Sequence, residues 1–323
     1  MNSLLEQDNN TNSLLFSHKQ LILLCNYIYF EGITRISSIK NTLETLKTKN
    51  RYNKSLIFSP GSGIKNSDAI KMFMDIEKDP ILRDLVAVDY IDNDIRAIAF
   101  VHKSMINKEN ADAIIVFQGT KGSNAPWFDN LSGCYTSDTK LQLEAAKFYK
   151  KVSRKYKVTY ITGHSKGGNL AQYITITNGA TIKKCVSFDS QGFSDMFVKK
   201  YINNIKTHTP KIVSISSYKD PIHTFLNNLA HISILIKTNT NLPEYKSHVP
   251  SLLYKNKYFD NDGNYKMDYL TTASTTLKIF EPLFDKFLSK IDLKRRKLVS
   301  RKITPVISYT MPLLHDKIAR ESR

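Results

Sequence analysis

The chain has 323 residues, with 47 Lys or Arg against 29 Asp or Glu and a formal net charge of +18. Hydrophobic residues make up 41% and aromatic residues 11%, which excludes global disorder and allows a sizeable core, and no apolar run approaches the roughly 18 residues of a membrane span. The charge predicts attraction to anionic surfaces without naming the partner, since phospholipid, nucleic acid and an acidic protein would all qualify.

Residues 1–16 are polar and read as a flexible terminus. A helical region then runs from about Ser17 to Asn50, broken near Gly32. Its apolar stretch "LILLCNYIYF" starts only at Leu21, contains Asn26 and lacks a small-residue cleavage site, so a buried helix is expected rather than a signal peptide. The expected location is cytoplasmic, or outside the cell by a route that uses no cleaved signal. Arg51 to Gly63 reads as a loop around Pro60. "SDAIKMFMDIEKD" repeats apolar residues at helical spacing, with Ser67 as the expected N-cap.

A strand series follows. "LVAVDYI" and "IRAIAFVH" flank the turn "DND" and predict a hairpin; "DAIIVF", "TYITG", "KCVSF" and "KIVSISS" continue the set, with helical segments between the later ones. Apolar strands alternating with helices imply an α/β fold, with a mostly parallel sheet covered on both faces. This central domain is taken as residues 17–275. Residues 276–323 form an amphipathic, basic helical segment in which Lys286 to Lys302 carry eight Lys or Arg against one acid, Asp292. A solvated face is the plain reading of that run, and peripheral contact with an anionic membrane is the functional one. No nucleic-acid module is recognisable, so nucleic acid is not an expected partner.

Cys25, Cys134 and Cys185 are too widely spaced for a disulfide framework or a metal cluster and are expected as reduced core thiols. "FDNDGNYK" has the look of a calcium loop, but Tyr269 stands where the glutamate belongs, so a hairpin turn is the better reading. Neither a metal nor an organic cofactor is expected.

The chemistry is carried by "TYITGHSKGGNLAQYI", Thr159 to Ile174. A strand, the turn "GHSKG" and a helix with the small residues Gly168 and Ala171 form the context of a nucleophile elbow, which exposes a serine hydroxyl and presents the following N–H at a helix N-terminus. Ser165 is the expected nucleophile, and the backbone N–H of Lys166 an expected oxyanion donor. Asp220, just beyond the strand "KIVSISS" in "YKDPIH", is a candidate orienting acid, with Asp189 as its rival. Among the histidines, His18, His102, His208 and His315 are expected on the surface, and His164 is expected to turn away from the active face and buttress the elbow.

"GHSKGGNLAQY" closely resembles the elbow of the Mbeg-like family of lipase-like α/β-hydrolases, relatives of the class-3, fungal-type lipases. "AIIVFQGTKGSNAPWFDNL" is similar to the strand and F-R-G-T segment of those proteins, and "VSFDSQGF" to their N-D-G-P-G-F, so the resemblance spans about Val86 to Tyr254. It departs at Gln118, where arginine is commonest in class-3 lipases, and in the "DSQGF" loop. The resemblance implies an α/β-hydrolase fold with helical extensions and the chain order Ser, acid, His, which leaves His208, His223, His231 or His248 as the base. His248, in the loop "EYKSHVPSLLY", resembles the family's histidine. The resemblance also implies that Asp220 matches the D-P element, that Asp189 matches a structural aspartate, and that Thr120 is the second oxyanion donor. Trp127, Phe128 and Tyr135 could line an acyl pocket or cap the core.

The expected activity is hydrolysis of a lipid carboxylic ester by Ser165, His248 and Asp220, of phospholipase A1-like or lysophospholipase type. Lipase-like domains of this kind also occur in exported bacterial toxins, which would add an immunity or targeting protein as a partner. The competing expectation is a catalytically silent lipid- or protein-binding module.

Overall fold

A computed structural model describes residues 15–33, 37–48, 62–120, 124–238, 247–271 and 298. Its elements in chain order are α1 (His18–Tyr27), α2 (Ile39–Thr48), α3 (Asn66–Lys78), β1 (Leu85–Asp92), β2 (Arg96–His102), β3 (Asp112–Phe117), α4 (Asn124–Ser132), α5 (Lys140–Ser153), β4 (Lys157–His164), α6 (Lys166–Asn178), β5 (Lys184–Phe188), α7 (Asp195–Lys200), α8 (Ile202–His208), β6 (Ile212–Ser217), β7 (Ile232–Ile236) and β8 (Leu270–Thr271). The strands form one eight-stranded sheet in sequential order. β3 to β7 are parallel, the β1–β2 and β2–β3 pairs are antiparallel, and the short β8 runs against β7. The predicted hairpin is therefore present, while β8 follows from no run long enough to read in the sequence.

Strand periodicity decides which side chain faces which layer. Along β2, Ile98 and Phe100 join the cluster formed with α1 and α3, whereas Ala97, Ala99 and Val101 join the cluster formed with α5, α6 and α7. Both faces are buried, so the strands read as continuous apolar runs, and each fully buried Leu, Ile or Phe contributes about 1.5–3 kcal/mol. The expected α/β architecture is what the chain forms.

α1 is closed at its start by a capping box, in which Gln20 N donates to Ser17 Oγ and Ser17 N to Gln20 Oε1. Every residue from Leu21 to Tyr27 is buried, as expected for a helix that is apolar around most of its circumference. The side-chain nitrogen of Asn26 donates to Ile22 O and Pro250 O. Among the described residues no helix is long and apolar enough to cross a membrane.

Several local expectations are corrected. Ser67 lies inside α3, whose N-cap is Lys65 with no side-chain cap bond, because the helix starts before the first good capping residue. His18 is half-buried rather than on the surface: its ring packs 6.0 Å from that of Tyr265. His102 and His208 are also half-buried, and His315 lies outside the described residues. Cys25 and Cys185 are buried thiols whose pKa is pushed up to about 12 by burial, but Cys134 is only partly buried. "FDNDGNYK" is a tight turn, with Phe259 bridged to Tyr265 and Gly263 at φ +77°. Most of the expected 51–63 loop, the 1–14 terminus and the 276–323 segment apart from Leu298 lie outside the described residues.

Candidate active site

Parallel strands deliver their carboxyl ends to one edge of the sheet, and the candidate site is built there from the ends of β3, β4, β5 and β6. At the β4–α6 junction Ser165 has φ 57° and ψ −125°, a conformation costing a non-glycine residue about 1–3 kcal/mol and characteristic of functional turns. Glycine makes this turn possible by leaving no side chain. A Cβ on Gly163 would lie 2.4 Å from the Gly167 backbone, and one on Gly167 would lie 2.3 Å from Phe117 O. Ser165 N donates to Phe188 O at 2.8 Å, which ties the turn to the end of β5.

His248 sits between the serine and the acid. Its Nε2 is 2.7 Å from Ser165 Oγ and its Nδ1 is 2.8 Å from Asp220 Oδ1. Burial alone would raise the Asp220 carboxyl, but neighbouring His248 and His223 together hold it well below the usual carboxylate range. An ionised carboxylate only accepts, so His248 donates through Nδ1 and leaves Nε2 to accept the Ser165 hydroxyl proton. Asp220 is itself fixed by Ile222 N and His223 N, which donate to its two oxygens at 3.2 and 3.3 Å. The three residues singled out from the sequence thus meet through consecutive hydrogen bonds. Of the rival histidines, His223 places Nδ1 3.8 Å from Asp220 Oδ2, on the far side of the acid, and His231 is exposed.

Asp189 follows β5 at φ 45° and is fully buried; its Oδ1 accepts Ser217 N at 2.8 Å. Burial first, then the charge of neighbouring Asp220, pushes its pKa well above the ordinary carboxylate value. His164 does not turn away as expected. Its ring stacks on that of His248 at 4.8 Å, its Nδ1 is 2.9 Å from Tyr29 Oη, and its Nε2 is 3.7 Å from Asp189 Oδ2. Tyr29 Oη also accepts Gly119 N at 3.1 Å, so the phenol links the β3 end to the His164 ring.

Gly119 lies beside Ser165, since a Cβ there would be 3.1 Å from Ser165 Cβ. Next to it, Thr120 Oγ1 accepts from Asn130 Nδ2 at 2.8 Å, and the hydroxyl proton remains available to another acceptor. Lys166 is the first residue of α6, where backbone N–H groups have no acceptor within the helix and the helix dipole is positive. Its Nζ is buried in an ion pair with Asp129 Oδ2 at 2.6 Å. Phe128 and Tyr135 are half-buried, while the Trp127 side chain lies outside the described residues.

Among the described residues, His164, Asp189 and His248 offer ligand atoms within 4.8 Å of one another. Three of the four ring nitrogens are engaged with Tyr29, Asp220 and Ser165, and the two rings stack, so the group reads as a hydrogen-bonded support.

A family model described as Mbeg1-like matches residues 82–303. The chain belongs to the Mbeg1-like family. No curated protein matches it. The Mbeg1-like match contains Ser165, Asp220 and His248 but begins after Tyr29, which α1 and its following turn bring in from outside the matched region. Tyr29, Asp129 and Asn130 are the site residues that sequence reasoning missed: Tyr29 read as one more apolar position, and no spacing rule links residue 129 to residue 166.

Proposed function

We propose that this Mbeg1-like protein is a serine ester hydrolase with an α/β-hydrolase fold, acting on lipid carboxylic esters. The single observation that carries this reading is His248 bonded at once to Ser165 Oγ, at 2.7 Å, and to Asp220 Oδ1, at 2.8 Å. A serine hydroxyl is a weak nucleophile and needs such a base to become reactive. His248 Nε2 takes the hydroxyl proton as Ser165 Oγ attacks the acyl carbonyl. The resulting imidazolium is stabilised by ionised Asp220 and then gives its proton to the leaving alkoxide. Water, deprotonated by the same imidazole, releases the acyl group from Ser165. The backbone N–H of Lys166 and the hydroxyl of Thr120 would stabilise the oxyanion, a role in which one lost donor costs on the order of 3 kcal/mol of barrier.

The net charge of +18 favours an anionic lipid over a neutral one, which points to a phospholipase A1-like or lysophospholipase activity. No step requires a metal or an organic cofactor. Action as an exported toxin, with an immunity or targeting protein as partner, is compatible with this chemistry. Lys286 to Lys302, proposed for membrane contact, lie outside the described residues apart from Leu298.

The test is covalent labelling of the intact protein by a fluorophosphonate probe, followed by lipid mass spectrometry after incubation with mixed phospholipids. Labelling lost in Ser165→Ala, together with the appearance of free fatty acid and lysolipid, is the expected result. An intact protein that does not label would instead favour a silent binding module.

A further inference from the structure

The side chain of Lys166 has no part in the steps above, yet it is among the most buried charges in the molecule. The side chains of Lys166 and Asp129 are 2% and 5% exposed, and their charged atoms are 2.6 Å apart. Removing two charges from water is unfavourable unless the geometry is close, and such a pair stabilises a fold no better than apolar residues of similar size. Stability therefore gives a weak account of why it stands here. Its position gives a better one. Lys166 follows the nucleophile directly, so a restraint on its side chain is a restraint on the first turn of α6 and on the backbone N–H expected to face the oxyanion.

Asp129 is equally well anchored. Its second oxygen, Oδ1, accepts Leu141 N at 2.9 Å and thereby ties the carboxylate to the first turn of α5. The next residue, Asn130, donates to Thr120 Oγ1 at 2.8 Å. Two adjacent residues of α4 thus hold the two segments from which the oxyanion donors come, one by an ion pair and the other by a hydrogen bond. The geometry points to the Asp129–Lys166 ion pair as a positioning device that sets the elbow N–H against the Thr120 loop. This inference rests on the esterase reading and adds to it a residue pair that touches no reacting atom. Pre-set donors matter because they are rewarded only in the tetrahedral state, and a misplacement of about 1 Å can cost on the order of a hundredfold in rate.

The experiment compares the intact protein with Lys166→Met/Asp129→Asn. That double variant strands no buried charge and keeps an amide oxygen for Leu141 N. Fluorophosphonate labelling, thermal melting, and kcat and KM on p-nitrophenyl butyrate are measured for both. The expected result is a melting temperature close to that of the parent, an unchanged KM, and a kcat lower by about tenfold to a hundredfold. A folded double variant with parental kcat overturns the inference while leaving the triad reading intact; a parent that neither labels nor hydrolyses the ester overturns the triad reading itself. If the double variant melts early, Asp129→Glu, which keeps the charge but lengthens its reach, carries the test. A lowered kcat at constant KM supports positioning, and parental kinetics refute it.

Discussion

Two aspartates end neighbouring parallel strands a few ångströms from the same imidazole network, and they do opposite things. Asp220, beyond β6, is fully buried yet ionised, because His248 and His223 face it and two backbone N–H groups donate to it. Asp189, beyond β5, is as deeply buried but has fewer donors, and burial together with the charge on Asp220 pushes its pKa up. Two carboxylates so close cannot both ionise cheaply, so the one with the better donors is shifted towards the ionised form and the other away from it. Position at a strand end does not assign the role; the donors around each carboxyl do.

Exchanging carboxyl for amide is the sharpest way to break this comparison. Asp220→Asn removes the acceptor that fixes the His248 tautomer, and kcat on a p-nitrophenyl ester should fall by about 10⁴ with the fold retained. A loss as small as that of an ordinary buried substitution would mean that Asp220 does not orient the base. Behind Asp189, Tyr29→Phe deletes the acceptor for Gly119 N and the hydroxyl bonded to His164, leaving a buried N–H unpaired. A stability loss of about 1–3 kcal/mol in urea denaturation is expected, with a lowered kcat, and an unchanged protein would show that this bridge carries nothing.

Asp189→Asn should have the smallest effect on turnover, less than about tenfold, because an amide keeps the acceptor for Ser217 N and replaces a carboxyl whose protonated form is favoured by burial. Its signature lies in pH. A raised pKa means that the folded state binds the proton more tightly than the unfolded chain, so the contribution of Asp189 is fully present below the unfolded carboxylate value of about 3.9 and is lost as pH rises towards the folded value. The variant should therefore gain stability relative to the parent between acid and neutral pH. For Asp220, with its depressed pKa, the sign is reversed: its contribution is present above about 3.9 and disappears as pH falls through the folded value. Denaturation at several pH values would separate the two. A difference between parent and Asp189→Asn that does not grow with pH would refute the raised pKa of Asp189.

Much of this molecule is legible one residue at a time. The apolar runs of β2 to β6 and the glycines of the elbow state their structure locally, because strand periodicity and the steric needs of a tight turn act over a few neighbours. Ser165 is identifiable for the same reason, and Asp220 follows from its place just beyond a strand. His248 is harder, since it lies in a loop and was favoured by resemblance over His223 and His231. The orientation of His164 is not legible, because an elbow specifies the direction of the Ser165 side chain but not what the preceding side chain stacks on. The burial of His18 is not legible either, because the turn at Gly263 that packs Tyr265 beside it comes from the other end of the domain.

The sequence by itself determined the α/β layering, the elbow and the identity of its serine, all of which are set by short-range patterns of size and polarity. Only the tertiary structure decided that His248 bridges Ser165 and Asp220, that the pKa values of Asp189 and Asp220 shift in opposite directions, and that Tyr29 and Asp129 reach the site. Those outcomes depend on which groups distant in the chain share a few ångströms of water-poor space, where one additional donor or charge changes the protonation state of a neighbour.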